Sequence, residues 1–369
     1  MFTILINKVM YKAPPFLRRN DFMFGTAPRW FSAVFGLVVT ALASCSGSTG
    51  SSSAGGDSLE LLNVSYDPTR ELWKQLNEAF VPYHAQATGR KIAIRQSHGG
   101  SSSQARQVID GLEADVVTLA IWQDIDAIHK AGLIAEKWEQ RLPNGSLPYS
   151  STIVFVVRKG NPKRIKDWSD LVKAGVQVIT PSPKTSGNGK LSLLAAWGSV
   201  VERGGSPEDA EKLVTGLYKN VPVLDSGARA ATATFAQKGI GDVHLTWENE
   251  ARLEVQEAQG ALEIIYPSVS ILAEPQVAVV DANVKRHNTA ELARKYLEFL
   301  YTDEAQELIA RNYYRPTTEA ILAKHKEDFP DIKLFRISAV AKDWADANEK
   351  YFAEGAIFDK ITEANAAEK

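Results

Sequence analysis

Thr180-Pro-Ser-Pro-Lys-Thr-Ser-Gly-Asn-Gly-Lys-Leu-Ser-Leu-Leu-Ala-Ala-Trp197 reads as a loop that feeds a helix. Pro181 and Pro183, followed by Thr185-Ser-Gly-Asn-Gly189, bar regular structure. An apolar run at helical spacing comes next, through Leu191, Leu194 and Ala195. Ser186 is the natural N-cap, its side-chain oxygen placed to accept an early helical N–H. The glycines and Asn188 let the backbone turn N–H groups outward, beside the positive end of the helix dipole. Such a turn holds an anion without a charged side chain. The same residues suit any cap and turn, so one loop of this kind establishes only a connection. It is not a Walker A loop, because Lys184 stands where the first glycine belongs and Leu191 follows Lys190. An anion site therefore needs companions elsewhere in the chain.

The rest of the sequence sets the frame for that search. The 369 residues are enough for two medium domains with a sizeable core. With 44% hydrophobic and 23% charged residues and a formal net charge of −2, the composition is that of a soluble globular protein, and no basic excess points to nucleic acid. Cys45 is the one cysteine, which excludes an intramolecular disulfide and a cysteine-based metal cage. Arg18, Arg19 and Arg29 precede an apolar run from Trp30 to Ser44 that is too short for a membrane span and suits a secretory signal. The run ends Leu42-Ala-Ser-Cys45, which resembles a bacterial lipobox; the resemblance implies cleavage before Cys45 and lipidation of its sulfur. The reading is thus a signal over 1–44 and a Ser/Gly tether over 45–58, with the protein anchored to the membrane through Cys45. Translation from Met23, one of three methionines, would give a signal of ordinary length.

From residue 59 the pattern alternates strand, turn and helix. Leu59–Ser65 predicts a strand, and Asp67 is placed to N-cap the next helix with Pro68 at its first position. Lys91–Ser97 predicts a second strand, entering His98-Gly-Gly-Ser-Ser-Ser103 and a helix; Asp115–Leu119 predicts a third. Ser151–Arg158 opens a second set that continues through Val176–Thr180 into the opening loop. Asn220–Arg229 is a short strand entering a turn, Asp242–Thr246 another strand ahead of Trp247, and Ile271–Val280 a return to the first set. From Thr289 the chain reads as amphipathic helices. Repeated units of this kind predict an α/β fold with a parallel sheet and ligands at the carboxyl ends of the strands.

Four strand-to-helix turns share one chemistry: Asp67-Pro-Thr69, His98-Gly-Gly-Ser101, Thr185-Ser-Gly-Asn-Gly189 and Asp225-Ser-Gly-Ala228. Together with Glu113-Ala-Asp-Val-Val-Thr-Leu-Ala120, Arg158-Lys-Gly-Asn-Pro162, Gly241-Asp-Val243, Trp247-Glu-Asn-Glu250 and Tyr314-Arg-Pro316, they closely resemble the periplasmic sulfate-binding proteins of ABC importers, over essentially all of 59–360. The resemblance implies a two-lobe type II periplasmic-binding-protein fold with the ligand in the inter-lobe cleft. On this reading 59–150 and 267–369 form lobe 1 and 151–266 form lobe 2. It implies sulfate held by main-chain N–H groups of Asp67, Ser101, Gly187, Asn188 and Ala228, by the Ser186 hydroxyl and by the Trp247 indole. Asn188 departs from the family pattern, which has Gly there; Asn tolerates left-handed geometry, and a main-chain donor is what the role requires. The partners implied are a membrane permease and an ATPase, with the protein itself a monomer that carries no cofactor or metal and is not an enzyme.

Alternatives stand beside this reading. Thiosulfate, molybdate or tungstate, and phosphate are ligands of the same class. An ester hydrolase would need a general base or a metal next to the anion turns, and the sequence offers neither. From the residues alone Trp247 reads as core and His98 as a hydrogen-bonded structural histidine. The six histidines lack metal-binding spacing. Glu248 and Glu250 suit electrostatic capping of the helix they begin. Lys184, Lys190 and Arg229 suit either attraction of an anion at a distance or, the more ordinary role, pairing at the surface or behind the site.

Overall fold

The computed structural model describes residues 59–367. The signal, the Ser/Gly tether, Met23 and the lipidation expected at Cys45 lie outside the described residues. Among the described residues no helix is long and apolar enough to cross a membrane.

Twelve strands are described: β1 (Leu59–Tyr66), β2 (Ile92–Gly99), β3 (Val116–Thr118), β4 (Tyr149–Arg158), β5 (Val178–Pro181), β6 (Leu224–Asp225), β7 (Val243–Trp247), β8 (Leu262–Ile265), β9 (Val269–Ala273), β10 (Val277–Val279), β11 (Arg315–Pro316) and β12 (Lys333–Phe335). They build two sheets. The first has the order β10-β3-β1-β2; the second runs β12-β9-β4-β7-β5-β6, with β8 and β11 also paired to β4. Neither sheet is purely parallel as the strand–helix alternation predicts. β1, β2 and β3 run parallel, as do β5, β6 and β7, but β10 is antiparallel to β3 and β4 is antiparallel to β7, β8, β9 and β11.

Apolar layers cover both faces of each sheet, which is why the strands are nearly continuous in hydrophobicity. Leu61, Trp73, Phe80 and Tyr296 form one layer on the first sheet, and Val64, Val108, Val117 and Ile125 form the other. On the second sheet, Phe155, Trp168, Leu194 and Trp197 form the larger layer, and Val154, Phe235 and Ala251 the smaller.

Two expectations are corrected here. The run 271–280 is not one returning strand: β9 pairs with β4 in the second sheet and β10 with β3 in the first. Pro275 falls in the break, where its missing N–H cannot serve a ladder. The chain after 267 also does not stay beside the first sheet. β12 pairs with β9, and Phe335, Tyr351, Phe352, Phe358 and Ile361 pack in the core of the second sheet, where Trp197 meets Tyr351 at 5.0 Å and Tyr218 meets Phe358 at 5.2 Å. An amphipathic helix carries an apolar stripe but not the identity of the surface that covers it.

Candidate functional site

The carboxyl ends of β1, β2, β5 and β7 lead directly into helices. β1 passes through the 3-10 turn Asp67–Thr69 into the helix Arg70–Thr88, β2 into Ser101–Ile109, β5 into Gly187–Val201 and β7 into Glu248–Glu257. The short strand β6 leads to the helix Ala228–Thr232. These helix starts meet at one small pocket, with about 10 Å³ in which the centre of a water-sized sphere fits. It is lined by Tyr66, Asp67, Pro68, Gly99, Gly100, Ser101, Ala120, Ser186, Gly187, Asn188, Ala228 and Trp247. All seven residues named from the sequence as ligand contacts are therefore brought together. About 10–15 Å³ on that measure holds one water, so the pocket is closed tightly and admits only a small guest.

The donors on its wall are poorly satisfied within the protein. The residues capping the turn or helix starts at Asp67, Ser101, Ala228 and Glu248 make no side-chain capping bond, which leaves first-turn N–H groups free of that partner. Ser186 is the exception and caps its helix as expected, its Oγ accepting from the Gly189 N–H at 3.5 Å while its own O–H remains available to donate. Asn188, almost fully buried, spends its side-chain amide on the Leu245 carbonyl at 3.2 Å. Its place on the pocket wall thus rests on its backbone. Trp247 is fully buried and packs its ring 5.1 Å from that of Tyr66, yet its indole Nε1 has no hydrogen-bond partner. A buried orphan donor is uncommon and destabilising by about 1–3 kcal/mol unless something accepts its bond.

Close packing brings the two sides of the pocket together. A Cβ placed on Gly187 would lie 2.5 Å from the Ala120 Cβ and 3.3 Å from the Ser101 Cβ. One on Gly100 would lie 2.6 Å from the Thr185 carbonyl oxygen. Only glycine fits at either position. The Asp67 turn is held from behind, its Pro68 carbonyl accepting from the Asn249 amide at 3.1 Å and from the Tyr314 hydroxyl at 2.8 Å. Ser101 is set by Asp124, which accepts its hydroxyl at 2.5 Å and that of Ser102 at 2.8 Å. The Ser101 Oγ in turn accepts from the Ala120 N–H at 3.0 Å.

No lysine, arginine or histidine lines the pocket. The nearby cations are occupied. Arg70 binds the Asp67 carboxylate at 2.7 Å, Lys190 lies 3.7 Å from Asp124, and Arg315 forks onto Glu248 at 2.8 and 2.9 Å. Arg229 pairs with Glu250 at 2.9 Å and with Glu71 across the cleft. Lys184 is turned away, onto Asp359. Burial opposes the charge of Arg229, but Glu250 and Glu71 outweigh it and hold the guanidinium above its usual value. Burial pushes the Glu250 carboxyl up to about 8 in spite of Arg229. Burial also pushes His98 down to about 4, with Arg70 adding to the effect.

Three local readings change. Asp67 is not an N-cap: Tyr66 holds that position and Arg70 takes the Asp67 carboxylate, because a guanidinium one turn on is the stronger partner. Glu248 and Glu250 do open their helix, but both are buried, Glu248 held by Arg315 and Glu250 beside Arg229. His98 is hydrogen-bonded only in part: it meets the Tyr66 backbone but leaves its Nδ1 buried without a partner. The lining residues not singled out from sequence are Tyr66, Pro68, Gly99, Gly100 and Ala120. Pro68, Gly99, Gly100 and Ala120 lie inside the turns and motifs quoted above and Tyr66 immediately before the first of them; their position against the pocket is a matter of tertiary packing.

A pocket of uncharged donors at the carboxyl ends of strands, between two mixed sheets, defines the class of protein. The family model of bacterial extracellular solute-binding proteins matches residues 66–315, and the chain belongs to that family. Within it, the chain belongs with the sulfate- and thiosulfate-binding proteins. It is 53% identical to the sulfate-binding protein of Escherichia coli K12 over 82% of this chain and 93% of that one. It is 50% identical to the thiosulfate-binding protein of Pseudomonas aeruginosa PAO1, over 83% of this chain and 92% of that one. The solved structure of the sulfate-binding protein SubI from Mycobacterium tuberculosis H37Rv superposes with a TM-score of 0.72 at 32% identity, covering 79% of this chain and 99% of that one. The fold is thus the type II periplasmic-binding-protein fold.

Proposed function

We propose that this protein is the extracytoplasmic sulfate-binding component of an ABC importer. The observation that carries the reading is the fully buried Trp247 indole, an unpartnered donor facing a pocket whose wall holds helix N-termini and no cationic side chain. The contacts are the main-chain N–H groups of Asp67, Ser101, Gly187, Asn188 and Ala228, the Ser186 hydroxyl and the Trp247 Nε1. About seven charge-assisted bonds at ~1.5–3 kcal/mol each exceed the ~8 kcal/mol of a micromolar complex. The surplus offsets dianion desolvation and lobe closure. Sulfate carries no proton at neutral pH, so it suits a wall of donors. Hydrogen phosphate would bring an O–H, and the one carboxylate on the wall, Asp67, is engaged by Arg70. That unmatched proton is worth about 1–3 kcal/mol against phosphate.

The lobes divide within β4, near residue 150, and again between β9 and β10. Sulfate binding closes them, and the loaded protein passes its ligand to a membrane permease driven by an ATPase. The protein acts as a monomer, exported and tethered through lipid on Cys45. Its role is capture rather than catalysis; the family to which it belongs supports this. Thiosulfate is the second reading, supported by the 50% identity to a thiosulfate-binding protein.

Calorimetry with sulfate, thiosulfate, molybdate and phosphate tests the ligand. Sulfate should bind in the micromolar range or tighter with phosphate at least tenfold weaker, about 1.4 kcal/mol. Preference for thiosulfate would move the assignment to the second reading, and preference for phosphate would sink both. In the same assay Cys45→Ser should leave affinity unchanged while moving the protein from the membrane to the soluble fraction.

A further inference from the structure

A second cavity lies at the opposite end of β1, roughly 23 Å along the strand from Tyr66. It measures about 540 Å³ and is lined by Leu59, His84, Thr88, Arg90, Asn288, Ala290, Glu291, Leu292 and Lys295. That volume is within the usual range of small-molecule sites; on the same measure the pocket at the strand ends has about 10 Å³.

Its chemistry is cationic and donor-rich. His84 is 5% exposed, its ring lies 5.6 Å from that of Phe80, and its imidazole makes no hydrogen bond to any described residue. A buried imidazole that borders a cavity without a protein partner has a bond to give. Arg90 makes no ion pair among the described residues. Lys295 projects from the helix Ala290–Phe299, whose first turn also opens on the cavity. Thr289, which precedes that helix, makes no capping bond, because its hydroxyl is committed to Asp115 at 2.6 Å. Among the described lining residues Glu291 is the single counter-charge, 2.9 Å from Lys295, and its side chain is 74% exposed. Burial, together with Lys295 and Arg90, holds His84 below its usual pKa, and Glu291 only partly opposes this.

Donors thus come from three segments, namely the helix Arg70–Thr88, the turn at Arg90 and the helix Ala290–Phe299. An anion with three terminal oxygens satisfies more of them than a carboxylate does. Leu59 and Leu292 add apolar wall, and the volume leaves room for more than an inorganic ion. We propose that this cavity is a second binding site, distinct from the sulfate pocket, for the phosphate group of an organic phosphate. The group can belong to a soluble phosphate ester or to a phospholipid head. The site stands on its own residues and not on the sulfate reading.

Histidine NMR on the full chain, with one equivalent of sulfate present so that the pocket is filled, tests the proposal. The probes are glycerol 3-phosphate and, separately, vesicles of phosphatidylglycerol or of phosphatidylcholine. An anion beside the imidazole stabilises its protonated form, so the His84 Cε1–H resonance should move and its pKa should rise on binding. Movement with glycerol 3-phosphate identifies a soluble ligand, and movement with vesicles alone identifies a lipid head. The double variant Arg90→Gln, Lys295→Gln removes two exposed or half-exposed cations and should weaken the response at least tenfold, with sulfate affinity unchanged. Three results would each overturn the site. One is a His84 resonance that ignores every probe at about 10 mM phosphate group, well above a millimolar Kd. Another is a response that survives the double variant intact. The third is movement caused equally by an uncharged glycerol control.

Discussion

The wall of the ligand pocket and the layer directly behind it differ in how they carry charge. Of the twelve lining residues one is ionised, and that one, Asp67, is held by Arg70. Behind them Arg70, Lys190, Arg229 and Arg315 all sit on carboxylates, and Glu71 and Arg229 join the two sides of the cleft. Charge is abundant a few ångströms back and nearly absent at contact. A contacting cation would attract any anion in any protonation state. Fixed N–H and O–H donors reward a guest that only accepts, and helix starts add a partial positive charge of about +0.5 each without a titratable group.

The comparison predicts that changes on the wall matter more than changes behind it. Gly187→Ala should have the largest effect, because its Cβ would lie 2.5 Å from the Ala120 Cβ and force the sides apart. Overpacking of this kind is destabilising by about 1–3 kcal/mol, and the upper end, roughly 150-fold in sulfate affinity, is expected. Calorimetry that finds wild-type affinity would show that the sides do not approach this closely around the ligand. Trp247→Phe keeps the ring packing against Tyr66 and removes one donor, so affinity should fall by about 1–3 kcal/mol with little change in stability. An unaltered Kd would remove the indole from the contacts.

The smallest effect belongs behind the wall, at Glu250. Its carboxyl is raised from 4.5 to about 8 by burial. The unfolded chain ionises it near 4.5 while the folded protein keeps its proton, so this contribution to stability is complete below that value and is lost as pH rises through about 8. Denaturant midpoints should therefore decline from about pH 5 to about pH 9 with a slope below one proton, and Glu250→Gln should flatten the decline. If the variant keeps the slope, another group produces it.

The turns were more legible in the sequence than the architecture. Gly-rich and Pro-rich loops before apolar helices announce their backbone geometry locally, which is why Ser186 as a cap and the four strand-to-helix turns can be read directly. Asn188 stood out because the family pattern has Gly there, and only the fold shows where its side chain goes, the amide bound to the Leu245 carbonyl. The Asp67 carboxylate was misread for a similar reason. A cap and a salt bridge to Arg70 are both available from the same three-residue spacing, and the ion pair prevails. Strand direction was invisible, since β4 lies antiparallel to four partners yet has the apolar run of a buried parallel strand. The helices after Thr289 show one apolar side each, and nothing local says which sheet receives them.

That last feature has a consequence for biosynthesis. The larger core waits for Phe335, Tyr351, Phe352 and Phe358, which are made after nearly everything they touch. While the ribosome is still adding them, β9 lacks β12 and Trp197 lacks Tyr351. Contacts of such long sequence separation form slowly and late. The larger hydrophobic core can therefore close only once the last helices of the chain are in place.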